Sequence, residues 1–326
     1  MKTNGRRYFL GALAACAMVP LAIPTTFAAE QKPAKIIVGF SPGGGFDAVA
    51  RVIADALSKE LNRTIVVENR PGAGSRVAVD HLRQGAPDGS VMMLGPDALQ
   101  AMYPFIYKSL NYDPQRDLVP VSTIAEFSFS LMSGANPKVN NFEEFVKWAK
   151  ANPDSASYGV SAMGSPLHFF GLMLGKAIDV PVQIVPFQGA APVVTALMGG
   201  HISSGMSSTS SVVPLHQAGN VKILAVTSPE RDPQLPDVPT FKELGYPNIT
   251  AMSFHALYAP PGTPDNIVRE WADALSKVVK TDAVRERFAS LGLIPVGGTP
   301  EELKARVQES IGFWKPVIEE SGYVAD

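Results

Sequence analysis

Residues 35–57 read KIIVGFSPGGGFDAVARVIADAL: an apolar run, a glycine loop and an amphipathic segment in direct succession. The run at 35–40 is short and rich in β-branched residues, as in a buried strand. After the glycines, apolar side chains recur at helical spacing, which predicts an amphipathic helix over 46–61. The stretch therefore predicts a strand, a tight loop and a helix.

The same alternation continues along the chain. Strand patterns at 64–68 and 91–94 flank a predicted helix at 75–85, so the first part should form a parallel sheet with right-handed crossovers. A second set of strands and helices begins near residue 158, and three helices close the chain. These later elements are predicted at 158–160, 167–177, 183–187, 191–198, 221–226, 264–280, 282–290 and 300–320.

Two extended apolar segments, 122–133 and 250–259, separate the two sets. They would lead the chain out to a second domain and back. The fold class predicted is α/β and two-lobed, each lobe a mixed, mostly parallel sheet flanked by helices, with a two-strand hinge. Domain 1 would comprise 29–128 plus 255–326, and domain 2 would comprise 129–254.

The first 28 residues are typical of an export signal. Arg6 and Arg7 precede an apolar run at 8–23, and small residues then offer a cleavage site after Ala28. The paired arginines fit a twin-arginine signal, and an ordinary secretory signal carrying two arginines is the alternative. Cys16, the one cysteine, could instead be a lipoprotein anchor. The expected location is the periplasm.

Composition excludes several classes of function. The full chain has a formal net charge of -2, and without residues 1–28 it holds 25 basic against 30 acidic residues. No basic face for nucleic acid is evident. The five histidines lack metal-site spacing, and a chain without Cys16 has no thiolate for zinc. We expect no metal, no cofactor and no nucleic-acid partner.

The glycine loop is the first candidate site. Backbone N–H groups of Gly43, Gly44 and Gly45 can approach a ligand closely, and the following helix N-terminus favours an anion. Asp47 would either serve the first helical turn or accept from a ligand. A rival interpretation is an exported NAD(P)-dependent oxidoreductase, because the loop fits G-x-G-x-x-A and Glu68 follows about 20 residues on.

Ligands of open α/β sheets lie beyond the carboxyl ends of strands, so loops at other strand ends are also candidates. The loop at 161–166 would face the glycine loop from the second domain. His168 opens the helix after it. The full set of predicted ligand-binding residues is Pro42, Gly43, Gly44, Gly45, Phe46, Asp47, Arg76, Pro96, Asp97, Ser161, Met163, Gly164, Ser165, His168, Phe187, Gln188, Gly189, Ala190, Ser207 and Ser208.

Several motifs in this order resemble the substrate-binding component of tripartite tricarboxylate transporters, the Bordetella-uptake-gene-type family. The resemblance covers nearly all of the chain after the signal. The motifs are PGGGFD at 42–47, VENRPGAG at 67–74, PDG at 87–89, YDP at 112–114, AVTS at 225–228, LPDVPT at 235–240, APPGTP at 259–264 and GGTPEE at 297–302.

The resemblance implies a two-lobed, type II-like periplasmic binding protein of the venus-flytrap kind, and not an enzyme. It implies a ligand carboxylate held by backbone N–H groups and bridging waters at the glycine loop. Closure would then bury the ligand and present a new surface to the membrane subunits of a transporter. Such proteins are expected to be monomers, and a role upstream of a sensor kinase is the alternative to transport.

Four departures from the family pattern affect the expected ligand. The family often has threonine at Phe46, tyrosine-lysine at Phe187-Gln188 and asparagine at Arg76, and an aspartate where the serines at 203–204 stand. The pocket would thus be more apolar and hydroxyl-lined, with one added guanidinium. We expect a carboxylate with an apolar or aromatic body near Phe46 and Phe187.

Overall fold

A computed structural model describes residues 33–325. The strands are β1 (Ala34–Val38), β2 (Ile65–Asn69), β3 (Val91–Pro96), β4 (Val119–Phe127), β5 (Phe129–Ser133), β6 (Ser157–Val160), β7 (Gln183–Pro186), β8 (Ser204–Ser208), β9 (Lys222–Val226), β10 (Ser253–Ala259) and β11 (Ile294–Gly297). The α-helices are α1 (Gly45–Glu60), α2 (Arg76–Arg83), α3 (Ala98–Ala101), α4 (Tyr103–Ile106), α5 (Phe142–Ala151), α6 (Pro166–Ile178), α7 (Ala190–Met198), α8 (Thr209–Gln217), α9 (Asp265–Val278), α10 (Asp282–Ser290) and α11 (Pro300–Ser321). The predicted export signal and Cys16 lie outside the described residues.

The predicted strand–loop–helix unit begins the fold. β1 pairs in parallel with β2 and with β3, which confirms the parallel arrangement expected for the first three strands. α1 buries Val49, Ile53 and Leu57 on one face, as its helical spacing predicted. The apolar face of the helix packs against the apolar face of the strands, and this contact holds the crossover helix on the sheet.

The strands form two sheets, which define the two lobes. The first sheet has the order β11-β4-β10-β3-β1-β2 and belongs to lobe 1; the second has the order β7-β6-β8-β5-β9 and belongs to lobe 2. Both sheets are mixed, as predicted, but parallel pairs do not dominate either one. β10 is antiparallel to β3 and β4, and β5 is antiparallel to β8 and β9, because the strands next to the crossings enter their sheets from the opposite end.

Each sheet lies between two layers of helices, so each lobe has an apolar core on both faces. In lobe 1, α1, α9 and α10 cover one face, and α2, α3 and the start of α11 cover the other. In lobe 2, α5 and α6 pack on one face, and α7 and α8 on the other. No helix within 33–325 has the length and apolarity needed to cross a bilayer.

Three segments connect the lobes. Ser128 separates β4 of lobe 1 from β5 of lobe 2, and the chain returns to lobe 1 through residues 227–252. The third connection, α11, was predicted to rejoin domain 1, but only its first half does so. Leu303 packs in the lobe 1 core, whereas Trp314 packs with aromatic residues of lobe 2. The predicted domain 1 thus contains the whole of a helix that packs against both cores.

Candidate functional site

A cavity of about 550 Å³ lies between the lobes. Lobe 1 lines it with the start of α1, the ends of two central strands and the turn between α10 and β11. Lobe 2 lines it mainly with the first turns of α8. The lining residues are Gly45, Phe46, Phe127, His255, Ala289, Ser290, Leu291, Gly292 and Leu293 from lobe 1, and Ser208, Ser210, Ser211, Pro214 and Gln234 from lobe 2.

The glycine loop reaches this cavity at its last residue. Gly43 has a φ of +83°, a left-handed conformation that an L side chain rarely adopts. Gly44 is extended and precedes α1, whose first residue is Gly45. A Cβ added at Gly45 would meet no heavy atom within 4 Å. The absence of a side chain at Gly45 therefore leaves open space beside the helix N-terminus.

Asp47 holds the loop in shape instead of facing the cavity. Its Oδ2 accepts from the Gly43 N–H at 2.9 Å, and Arg51 and Asn69 donate to the same carboxylate. Hydrogen bonds from Arg51 and then from Gly43 lower the pKa of Asp47 to about 2. Because these donors occupy both oxygens, the structure favours the role in the first helical turn over the role as a ligand acceptor.

α8 supplies the matching helix start from lobe 2. Ser208 precedes the helix, and its Oγ lies 2.6 Å from the Oγ of Ser211. Thr209 is buried, and its Oγ1 bonds with Ser128 and Ser130 beside the lobe crossing. The serine-rich loop thus turns its first residues toward the cavity while Thr209 anchors it to the hinge.

Within the part of the chain that the structure describes, no charged side chain lines the cavity. The two helices that begin there, α1 and α8, come from opposite lobes, and each offers unpaired backbone N–H groups and a partial positive charge. An anion could therefore be held by backbone donors and serine hydroxyls without a counter-charge. A second charged group on the same ligand would meet no partner in the lining.

Aromatic rings form much of the lobe 1 wall. Phe46 stacks on Phe40 with ring centroids 4.1 Å apart, and its ring meets His255 edge-on at 4.3 Å. The Phe127 ring also packs beside His255, with ring centroids 5.1 Å apart. Burial lowers the pKa of His255 to about 4, so its imidazole is neutral near pH 7. The wall therefore suits the apolar body of a ligand.

Three of the predicted ligand-binding residues, Gly45, Phe46 and Ser208, line the cavity. Other predicted residues of lobe 1 are engaged elsewhere. The guanidinium of Arg76 lies over the Tyr107 ring at 3.9 Å, so it adds no charge to this site. Asp97 is 2% exposed, and burial raises its pKa to about 7. Pro96 pairs with His255 in the sheet.

The two remaining loops of lobe 2 also lie outside the cavity lining. In the 161–168 segment, Gly164 donates its N–H to Nδ1 of His168 at 3.3 Å, and the His168 ring contacts Tyr323. In the 187–190 segment, Phe187 packs against the lobe 2 core. Phe127 and His255, instead of Phe187, are the aromatic neighbours of Phe46 on the cavity wall. The other predicted residues of these two loops do not line the cavity either; they are Ser161, Met163, Ser165, Gln188, Gly189 and Ala190. Ser207, which was also predicted, is buried in β8.

His255, Phe127 and the turn at 289–293 were not predicted as site residues. The sequence contained one signal for Phe127 and His255. Both lie in the segments 122–133 and 250–259, which were predicted to cross between the lobes, and such segments must pass beneath an interlobe cleft. The side chains that face the cleft depend on strand register, which the pattern alone does not define.

The acidic residue of the dinucleotide interpretation is engaged by neighbouring basic side chains. Glu68, the candidate ribose ligand, forms ion pairs with Lys35 at 2.9 Å and with Arg70. Across residues 33–325, no group of three or more His, Cys, Asp or Glu side chains could hold a metal ion.

Comparison with known proteins places this architecture in one family. Residues 49–323 match the model of the tripartite tricarboxylate transporter family receptor, TctC. The protein BugT of Bordetella pertussis is 30% identical over 292 residues, which cover 89% of this chain and 90% of BugT.

Solved structures give the same result. MatC from Rhodopseudomonas palustris with bound malate has a TM-score of 0.74 and 30% identity, covering 88% of this chain and 99% of MatC. The R. palustris protein Rpa4515 with adipate has a TM-score of 0.79 and 28% identity, covering 90% of this chain and 98% of its own. The periplasmic binding protein BugD has a TM-score of 0.76 at 29% identity, covering 91% of this chain and 99% of BugD, which confirms the two-lobed binding-protein fold.

Proposed function

The chain belongs to the tripartite tricarboxylate transporter receptor family, whose members are periplasmic solute-binding proteins and not enzymes, and we propose that it captures a small organic carboxylate in the interlobe cavity for a transporter of that type. The ligand carboxylate would lie between the N-termini of α1 and α8. Its body would be apolar or aromatic and would lie against Phe46 and Phe127.

One observation carries this proposal: two helix N-termini from opposite lobes begin at a cavity whose lining has no charged side chain. Such N-termini bind carboxylates through backbone N–H groups and the helix dipole. Because each lobe contributes one of them, a bound carboxylate would favour the arrangement in which the lobes are close together. The malate and adipate in the two R. palustris structures support the same class of ligand.

The remaining parts of the proposal concern location and partners. An export signal over 1–28 would place the protein in the periplasm, by either the twin-arginine or the ordinary secretory route. There it would act as a monomer that presents its ligand to the membrane subunits of the transporter. The predicted lobes, 29–128 with 255–326 and 129–254, would move about the crossing at Ser128.

Calorimetry with matched acids and amides tests the ligand class. The panel would hold malate, adipate and benzoate, each beside its amide. We expect at least one acid to bind and its amide to bind at least about tenfold more weakly, since a charge-assisted hydrogen bond is worth roughly 1.5–3 kcal/mol. Equal binding of an acid and its amide would refute the carboxylate site.

Gly45→Val tests the position of the site. A Cβ added at Gly45 meets no heavy atom of residues 33–325 within 4 Å, and the valine side chain would occupy the place of the carboxylate. The matched control is Gly312→Val, which also adds a side chain to an open helical position, on α11. We expect only Gly45→Val to lose binding while both variants keep the far-UV circular dichroism of the parent.

Uptake measurements test the transport role. Cells without this protein should lose uptake of the best-bound carboxylate, and cells without the membrane subunits should show the same loss. Normal uptake combined with a lost transcriptional response to the carboxylate would favour the sensor-kinase alternative.

A further inference from the structure

His255 is a buried polar side chain that the proposed carboxylate site does not use. It lies on β10 between β3 and β4, is 5% exposed and lines the interlobe cavity. Its Nδ1 has no hydrogen-bond partner among residues 33–325. Because Nδ1 is enclosed by the protein, Nε2 is the imidazole nitrogen left to meet a ligand in the cavity.

The backbone beside His255 is irregular. His255 pairs with Ala125 of β4, whereas the next residue, Ala256, pairs with Thr123, so one residue of β4 is left without a counterpart. Bulges of this kind redirect side chains and are frequent next to functional sites. The irregularity therefore occurs at the one imidazole that reaches the cavity.

The surroundings of the imidazole favour its neutral form. The rings of Phe46 and Phe127 lie 4.3 and 5.1 Å from it, and none of the described residues that line the cavity is a carboxylate that would stabilise an imidazolium. A neutral imidazole has one donor and one acceptor nitrogen. It can bond a hydroxyl group, but it cannot neutralise a carboxylate, and an unpaired buried charge is costly.

We propose that His255 is a specificity-determining residue that hydrogen-bonds a ring hydroxyl of the ligand, so that the cavity selects hydroxylated aromatic monocarboxylic acids over unsubstituted ones. The inference rests on the proposed function, since the carboxylate is held at the α1 and α8 N-termini. The ring lies against Phe46 and Phe127, with Leu291 and Leu293 of the α10–β11 turn also lining the space. A second carboxylate at the position of the hydroxyl is disfavoured because none of the described residues that line the cavity is a lysine or an arginine.

The volume is consistent with this class. A cavity of about 550 Å³ falls in the range of about 300–1,000 Å³ that is usual for small-molecule sites. An aromatic acid fits within this volume, and Ser210 and Ser211 line it with hydroxyl groups.

The test compares benzoate with 2-, 3- and 4-hydroxybenzoate by calorimetry. For at least one isomer we expect the parent protein to bind the hydroxy acid about tenfold more tightly than benzoate, as one well-placed hydrogen bond allows. His255→Phe keeps a ring but removes both nitrogens, so the ratio should fall to about one while benzoate still binds. The control is His201→Phe, at an exposed histidine after α7, which should keep the parent ratio.

A measurement on the unmodified protein covers the case in which His255→Phe fails to fold. The ¹⁵N signals of the His255 imidazole should shift when the preferred hydroxybenzoate is added and should not shift with benzoate. An unchanged affinity ratio in a folded His255→Phe protein, or unchanged ¹⁵N signals, would overturn the inference.

Two outcomes separate the inference from the function on which it rests. If malate or adipate binds and no aromatic acid does, the carboxylate function stands and the role of His255 is refuted. If no carboxylate binds but phenol does so in a His255-dependent manner, the hydroxyl site stands and the carboxylate function fails.

Discussion

Gly292→Ala should weaken ligand binding by holding the lobes apart. Gly292 lies in the turn between α10 and β11, and a Cβ added there would lie 1.8 Å from Cβ and 2.8 Å from Cα of Ser210. Ser210 belongs to α8 of the opposite lobe, and both residues line the cavity. The substitution therefore adds a methyl group where the two lobes touch.

The distances indicate the size of the effect. Carbon atoms in contact lie about 3.5–4.0 Å apart, so the two surfaces must separate by roughly 2 Å. Such a separation would move the N-termini of α1 and α8 apart and lengthen the hydrogen bonds to a shared carboxylate. Loss of one charge-assisted bond, roughly 1.5–3 kcal/mol, corresponds to at least about tenfold weaker binding.

The assay is calorimetry with the best-bound carboxylate, beside a control with the same backbone strain. Gly292 has a φ of +64°, and Gly219, which follows α8, has a φ of +74° with no atom within 4 Å of an added Cβ. Gly219→Ala thus carries the left-handed backbone cost of roughly 1 kcal/mol without the contact. If Gly292→Ala and Gly219→Ala bind the ligand equally well, the lobes do not touch here in the bound state.

Ser210→Gly offers a second check of the same contact. It removes Cβ and Oγ of Ser210 but leaves the Cα, so it should restore part of the affinity lost in Gly292→Ala. No restoration would show that the loss arises within lobe 1.

Three further predictions concern stability. Asp47→Asn should lower the unfolding free energy at pH 7 by about 1–2 kcal/mol, a value reduced from the full pKa difference because solvent screens the half-exposed Arg51. The folded pKa of Asp47 is about 2, below its usual value near 4. The stabilisation by the Asp47 carboxylate is therefore complete above pH 4 and is lost as the pH falls from 4 to 2. Urea denaturation at pH 7 and pH 3 checks it, and a difference between the two proteins that does not narrow at pH 3 would contradict it. Asp97→Asn should raise the unfolding free energy at pH 8 by roughly 2–4 kcal/mol. Burial raises the folded pKa of Asp97 to about 7, so the parent protein loses stability as the pH rises from 4 through 7, and the asparagine variant does not. Equal melting temperatures of the two proteins at pH 8 would refute this. Trp314 lies on α11, is 1% exposed and packs in the core of lobe 2. Trp314→Ala should lower the unfolding free energy measured by urea denaturation by about 3–5 kcal/mol. A decrease below about 1 kcal/mol would show that α11 does not stabilise lobe 2.

The local elements could be predicted because their signals are local. The first helix was expected at 46–61 and is observed at Gly45–Glu60; the last was expected at 300–320 and is observed at Pro300–Ser321. In both, apolar residues recur at the helical period, and Gly or Thr-Pro marks the start. The family resemblance depended on turn motifs of the same local kind, and the comparisons confirmed it.

The site could be predicted only in part. Of the predicted residues, Gly45, Phe46 and Ser208 line the cavity, because residues at strand ends and helix starts cluster at one edge of a sheet. The surroundings of Asp47 could be predicted only in part: Arg51 lies one turn further along the same helix, but Asn69 donates to Asp47 only because β2 lies beside α1. Arg76 and Phe187 carry suggestive side chains but face Tyr107 and the lobe 2 core.

By itself, the sequence determined the α/β class, the two lobes, the order of the elements and the glycine loop that opens α1. Only the tertiary structure brought His255 and Phe127 beside Phe46, placed the start of α8 opposite α1 and set Gly292 against Ser210. The physical reason is that helices and strands follow from the periodicity of nearby side chains, whereas the cavity is formed by residues distant along the chain. Their meeting depends on strand register and lobe packing, which no single segment encodes.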